Sequence, residues 1–299
     1  MRFILGLAAL ALLGGCAAAD DGSGAASGRP HVVVTSTIIG DVVEHVLGDQ
    51  ADVEVLLPLG ADPHEFQPSA RQVADLDGAD LVVTSGAGFE QGMAGVLDNV
   101  ASSGAVIFAF ADHVDLLPVG DGDDPHFWTD PTRMAAAVEA FGAFAASVPG
   151  LDGAAAVAGA HEYAGELDDL DAEVTSILDA VPADERVLVT DHEVFGYFAN
   201  RYGFDVVGAV VPSISPDAQA SAADVTALAA LIEDEGVPAI FSGTTSSSQL
   251  ADALAAEVGH GVQVVDLFTE SLGAPGSGGE TYIDMLTTDA HRITDALTA

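Results

Sequence analysis

The sequence predicts an α/β protein of two lobes, each a four-stranded parallel sheet flanked by helices, joined by one long rigid helix. Three observations carry this prediction. Short apolar runs rich in β-branched residues recur along the chain in two groups of four. Helical patterns alternate with them, as parallel sheets covered on both faces require. A stretch with no strand signal, residues 130–182, separates the two groups.

The elements follow in order. Residues 1–15 read as a signal peptide: one arginine, an apolar run from Phe3 to Leu13, then small residues, with the run too short for an ordinary membrane span. Leu13, Gly14, Gly15 and Cys16 resemble a lipobox, which makes Cys16 the expected lipidation site and implies a protein held outside the cytoplasm on the cell membrane by its acyl chains. The Gly/Ser-rich segment that follows gives a flexible tether over residues 16–30. The N-terminal lobe, residues 31–150, contains HVVVTST (31–37), ADVEVLLP (51–58), DLVVTSG (80–86) and AVIFAF (105–110). Asp130 followed by Pro131 is a helix start, and VPGLDG (148–153) is a break. The linking helix, residues 151–181, then runs without proline until Pro182, about 40 Å at 1.5 Å per residue, long enough to act as a strut between lobes. The C-terminal lobe, residues 182–299, holds RVLVTD (186–191), FDVVGAV (204–210), AIFSGT (239–244) and VQVVDL (262–267), and TYIDMLTTDAHRIT closes it with an amphipathic helix expected to pack on that lobe.

Composition limits the function. The 299 residues are 49% hydrophobic, ample for a buried core, and carry a formal net charge of -40 with seven arginines and no lysine. Such a chain repels nucleic acid, so no nucleic-acid partner is expected; the acidic surface suits a salty environment and attracts cations. Cys16 is the single cysteine, which leaves the folded part without disulfides, cysteine zinc ligands or a thiol nucleophile.

Ligands of open parallel sheets sit beyond the carboxyl ends of the strands, and that sorts the histidines. His64, in GADPHEFQPS, follows the second strand, between Pro63 and Pro68, which stiffen its loop. His126, in DDPHFWTDP, lies beyond the fourth strand; His192 directly follows the first strand of the second lobe; Glu270, in LFTESLG, follows the last. Three imidazoles and a carboxylate suit a borderline-soft divalent cation such as zinc. His113 competes for a place among the histidines, and Asp266, Glu280 and Asp284 compete with Glu270. His31, His45, His161, His260 and His291 fit surface or packing roles. Trp128 is expected to shield the cation, and SGTTSSSQLAD (242–252) reads as an N-capping loop.

These motifs, in this order and spacing, resemble the cluster A metal-binding solute receptors, lipoproteins that deliver zinc or manganese to ABC transporters. GADPHEFQPS, DPHFWTDP, DHEVFGYFANRYG and LFTESLG each match a family motif, and the resemblance covers nearly the whole mature chain. It implies two α/β lobes joined by one rigid helix, metal-ligand roles for His64, His126, His192 and Glu270, and partnership with an ABC permease and its cytoplasmic ATPase. The chain is expected to be monomeric. Family members commonly have aspartate where this chain has Glu270, and zinc-specific members often have a His-rich loop where this chain has the short PVGDGDDPHF. Manganese-selective relatives often carry a carboxylate at the position of His192. Zn2+ is therefore the expected cargo, with Mn2+ the alternative. Because imidazole must be neutral to ligate, affinity is expected to fall as pH drops through about 6.5.

Two other classes stay open on sequence grounds. A zinc hydrolase would need an open coordination position and a base such as Glu193 or Glu65, and the chain has no HExxH helix. An adhesin-like surface lipoprotein would keep the fold without transport.

Overall fold

The computed structural model describes residues 28–120, 122–211, 213, 222–245, 247–258 and 261–299. The signal peptide, Cys16, most of the tether and His260 lie outside the described residues. No helix among the described residues is long and apolar enough to cross a membrane.

The first sheet is built from β1 (His31–Val34), β2 (Asp52–Val55), β3 (Leu81–Thr84) and β4 (Ile107–Ala109), in spatial order β2-β1-β3-β4 with every pairing parallel. Helices α1 (Thr37–Leu47), α2 (Ala70–Asp77) and α3 (Ala94–Ser102) make the connections. A short antiparallel pair, β5 (Pro118–Val119) and β6 (Gly122–Asp123), precedes His126 where the sequence suggests only a loop. Helices α4 (Pro131–Ala145) and α5 (Gly153–Leu178) follow. The second sheet contains β7 (Val187–Thr190), β8 (Asp205–Ala209), β9 (Ala239–Gly243) and β10 (Gln263–Leu267), again all parallel, in order β10-β9-β7-β8. Helices α6 (Gly196–Tyr202), α7 (Ala222–Glu235) and α8 (Gln249–Val258) connect it, and α9 (Tyr282–Leu297) ends the fold.

Burial follows strand position. The central strands β1, β3, β7 and β9 are almost wholly buried, as their unbroken apolar runs demand, whereas the edge strands β2, β8 and β10 are mostly half-buried or exposed. Each sheet has a private core on one face: Val33, Leu56, Leu76 and Val82 in the first, and Val189, Leu228, Ile240 and Leu254 in the second. The other faces share one continuous core that runs from Val32 and Val34 through Phe141, Leu167 and Leu170 to Phe241 and Leu267.

That shared core changes the picture of the linking helix. α5 does cross between the lobes, but it is braced along its length rather than standing free. Gly142 of α4 is backed by Ala160, and a Cβ there would come within 2.3 Å of the Ala160 Cβ; Gly159 lies so close to α1 that its Cβ would meet the Val46 carbonyl oxygen at 2.4 Å. Asp152 caps α5 by accepting from the Ala154 and Ala155 amides. α9 differs from expectation in what it packs against: it lies on α5 and reaches α1 of the first lobe as well as β10. Amphipathic spacing showed that α9 buries a face, and the tertiary arrangement decided against what.

Candidate metal centre

His192 and Glu270 stand just past the carboxyl ends of β7 and β10, while His64 lies further along the loop after β2 and His126 lies beyond β4, after the β5–β6 pair. The fold brings one ligand atom from each to within 4.8 Å of the others. Glu270 Oε1 is the meeting point. His64 Nε2 lies 2.7 Å from it, and His126 Nε2 and His192 Nε2 each lie 3.4 Å from it. All four side chains are fully shielded from solvent. Two donors bound to one ion at about 2.1 Å stand about 3.4 Å apart across a tetrahedral angle, so the spacing suits an ion among them. His192 Nε2 is outside hydrogen-bonding geometry with Glu270 and, although buried, has no hydrogen-bond partner among the described residues.

Local sequence sets the orientation of the rings. In Asp124-Pro125-His126, Asp124 Oδ1 accepts from the His126 amide at 2.9 Å and faces His126 Nδ1 at 2.8 Å. Asp191 Oδ1 does the same for the amide and Nδ1 of His192, each at 2.8 Å, while its Oδ2 accepts from the Gly243 amide at 2.7 Å. A proton on each Nδ1 directs the lone pair of Nε2 into the centre. Asp62 accepts from the His64 amide at 2.8 Å, but His64 Nδ1 itself has no partner among the described residues.

The loop carrying His64 is held from both sides. Ser69 and Gln72 form a capping box, Gln72 Nε2 donates to the Leu56 carbonyl, and the turn before α3 presses Gly92 against the loop backbone, where a Cβ would lie 2.3 Å from the Phe66 carbonyl oxygen. Behind the imidazoles, Phe89 packs edge-on against His64 and Trp128. Phe89 is placed by a turn in which Gly86, Ala87 and Gly88 all have positive φ, closed by buried Glu90, which accepts from Thr35 Oγ1 and the Ser85 and Gly86 amides. Burial raises the Glu90 carboxyl above its ordinary value against the pull of those hydrogen bonds. Trp128 packs edge-on to His126 with ring centroids 5.4 Å apart, is fully buried, and donates through Nε1 to the Thr269 carbonyl of the other lobe.

Electrostatics couple the four groups. Burial disfavours the His192 imidazolium, but the hydrogen bond to Asp191 and the negative charges of Asp191 and Glu270 outweigh it and raise the group to about 10. His126 is raised by the same balance, with Asp124 and Glu270 overcoming burial. Glu270 is driven well below the usual carboxylate range, because the three histidines overcome its burial. A cation binding here would therefore have to displace protons.

The competing residues lie elsewhere. His113 stacks on Phe108, Asp284 caps α9 with Thr281, Glu280 accepts from the Gly276 amide, and the Asp266 carbonyl accepts from Arg292. His31 pairs with Glu54, His45 stacks on Tyr163, His161 pairs with Glu139, and His291 is exposed. Glu65 is exposed and Glu193 half-buried, and neither belongs to the converging group. Sequence reasoning missed Asp124, Asp191 and Thr245. The aspartate two residues before both His64 and His126 was a usable signal. Thr245 was not legible: it sits in the capping loop after β9 and donates to Glu270 Oε2 at 3.0 Å.

Comparison with known proteins places the chain among metal-binding receptors. The family described as zinc-uptake complex component A, periplasmic, matches residues 32–296. The zinc-binding protein TroA of Treponema pallidum is 33% identical over 282 residues, covering 91% of this chain and 90% of its own. The manganese-binding lipoprotein MntA of Bacillus subtilis is 32% identical over 295 residues, covering 95% of each chain. The solved structure of periplasmic zinc-binding TroA superposes with a TM-score of 0.84 at 32% identity, over 90% of this chain and 99% of that one. A manganese-bound periplasmic metal-binding protein from Candidatus Liberibacter asiaticus shares the fold, with a TM-score of 0.79 at 22% identity over 90% of this chain and all of its own. The chain is a metal-binding substrate-binding protein of the ABC transporter kind, a receptor and not an enzyme. This chain belongs to the zinc-uptake complex component A family.

Proposed function

We propose that the protein captures Zn2+ outside the cytoplasm and hands it to an ABC permease driven by a cytoplasmic ATPase, with His64, His126, His192 and Glu270 as the ligands. The observation that carries this reading is the convergence of three buried imidazole nitrogens on one carboxylate oxygen, with His192 Nε2 lacking a hydrogen-bond partner among the described residues. Three nitrogens and one oxygen at tetrahedral spacing favour zinc over manganese, which prefers oxygen-rich sites of higher coordination number. The complete shielding of all four side chains argues for sequestration and against a hydrolase, whose metal needs a coordination position open to water. Manganese remains the second reading because relatives of similar identity are named for each metal.

In this proposal residues 1–15 are the signal peptide, Cys16 carries the lipid, residues 16–30 form the tether, and the lobes are residues 31–150 and 182–299, with residues 151–181 linking them. The protein acts as a monomer on the membrane surface.

The test is elemental analysis and competitive titration with zinc and manganese on the chain lacking residues 1–16. One tightly held zinc per chain is expected, lost in His64→Ala and His192→Ala. Tight manganese with weak zinc changes the cargo, and no tight metal overturns the function.

A further inference from the structure

Glu270 can present one oxygen or two to an ion, and that choice separates cations. A single carboxylate oxygen added to three imidazole nitrogens completes a four-coordinate site, which zinc favours; a second oxygen opens the higher coordination that suits manganese. The two Glu270 oxygens have different surroundings. Oε1 faces all three Nε2 atoms, at 2.7, 3.4 and 3.4 Å. Oε2 accepts from Thr245 Oγ1 at 3.0 Å. The carboxylate is therefore held at both ends, one end in the centre and the other on the loop between β9 and α8.

We propose that Thr245 is a specificity-determining residue: its hydroxyl holds Glu270 Oε2 away from the ion, keeps the carboxylate monodentate, and so biases the site toward zinc and against manganese. The inference rests on the metal-receptor reading above and extends it. Thr245 does not touch the ion; it acts through Glu270 by restricting rotation of the carboxylate plane. A longer glutamate arm has more freedom to swing its second oxygen inward than aspartate has, so a restraint matters more here.

The test compares the purified mature protein with Thr245→Val, which keeps the shape and removes the hydroxyl, and Thr245→Ser, which keeps the hydroxyl. Zinc and manganese affinities are measured by competition, and bound Co2+ reports coordination number through its visible absorption, intense when four-coordinate and weak when five- or six-coordinate. In Thr245→Val, the preference for zinc over manganese should shrink by about tenfold or more, the scale on which outer hydrogen bonds tune metal sites, and the cobalt bands should weaken. Thr245→Ser should keep both the preference and the intense bands. An unchanged preference and cobalt spectrum in Thr245→Val overturns the inference while leaving the receptor intact. A Thr245→Ser protein that behaves like Thr245→Val also overturns it, because the methyl group rather than the hydroxyl would then matter. A wild-type protein that binds neither zinc nor manganese tightly overturns the receptor reading, and this inference with it.

Discussion

Asp124 and Asp191 each fix an imidazole through its Nδ1, whereas His64 is fixed through its loop. This division of labour has a measurable consequence. Asp124→Asn keeps the shape at His126 and removes the charge that makes the ring a better donor, so zinc affinity should fall by about 10- to 100-fold with the stoichiometry unchanged, as read by competitive titration. An affinity within twofold of wild type would show that Asp124 only orders the loop. The raised imidazoles predict the pH response. His192 holds its proton up to about 10 in the metal-free protein because Asp191 and Glu270 outweigh its burial, and His126 is shifted in the same direction. Metal must expel those protons, so lowering the pH favours the free protein and affinity should decline steadily from about pH 10 downward, not only below 6.5. The same raised group stabilises the metal-free fold below its unfolded value near 6.5, and that contribution is lost as pH rises through about 10. Calorimetry at neutral pH in buffers of different ionisation heat should show protons released on binding; no release would contradict this balance. At this scale the sequence disclosed the histidines, because strand ends locate them, but hid the onset of titration, because burial and carboxylate contacts arise only in the folded chain.

Among the elements, the His64 loop depends most on a neighbour. The backbone of Phe66 lies against Gly92 with no space for a side chain. Gly92→Ala should push the loop outward and weaken zinc binding by about tenfold or more, because a small displacement of a buried donor forfeits much of its preorganised geometry. Titration of the variant alongside its thermal melt separates this from general unfolding: a lower melting temperature with unchanged affinity would count against the positioning role. The prolines made the loop's stiffness readable in the sequence, but its contact with Gly92 was not, since the two segments are joined only by tertiary packing. The same limit explains β5 and β6, whose two-residue strands carry no alternation to detect, and α9, whose apolar face revealed burial without revealing its partners. The central strands β1, β3, β7 and β9 were legible because parallel strands buried on both faces leave unbroken apolar runs, and the edge strands because they keep β-branched residues between turn signals.

For the whole molecule, closure of the lobes is secured beside the centre itself. Ser271, next to Glu270, accepts at Oγ from the Gly60 amide at 2.9 Å, and Thr37 Oγ1 donates to it at 3.3 Å while accepting from the Leu272 amide at 2.9 Å. Each such bond contributes about 1 kcal/mol. Thr37→Val should therefore speed zinc release to a chelator by about fivefold or more in stopped-flow measurements, with little change in metal stoichiometry. An unchanged release rate would show that these bonds do not restrain opening. Because α5 is embedded in the core shared by both lobes, opening is expected to proceed by small shifts at this seam rather than by bending the helix.

The donors also arrive in a fixed order along the chain, His64 and His126 from the first sheet, His192 from the start of the second and Glu270 after its last strand. During synthesis the oxygen on which all three imidazoles converge is therefore the last to be made. The complete donor set is therefore available only once the last strand of the second sheet has been made.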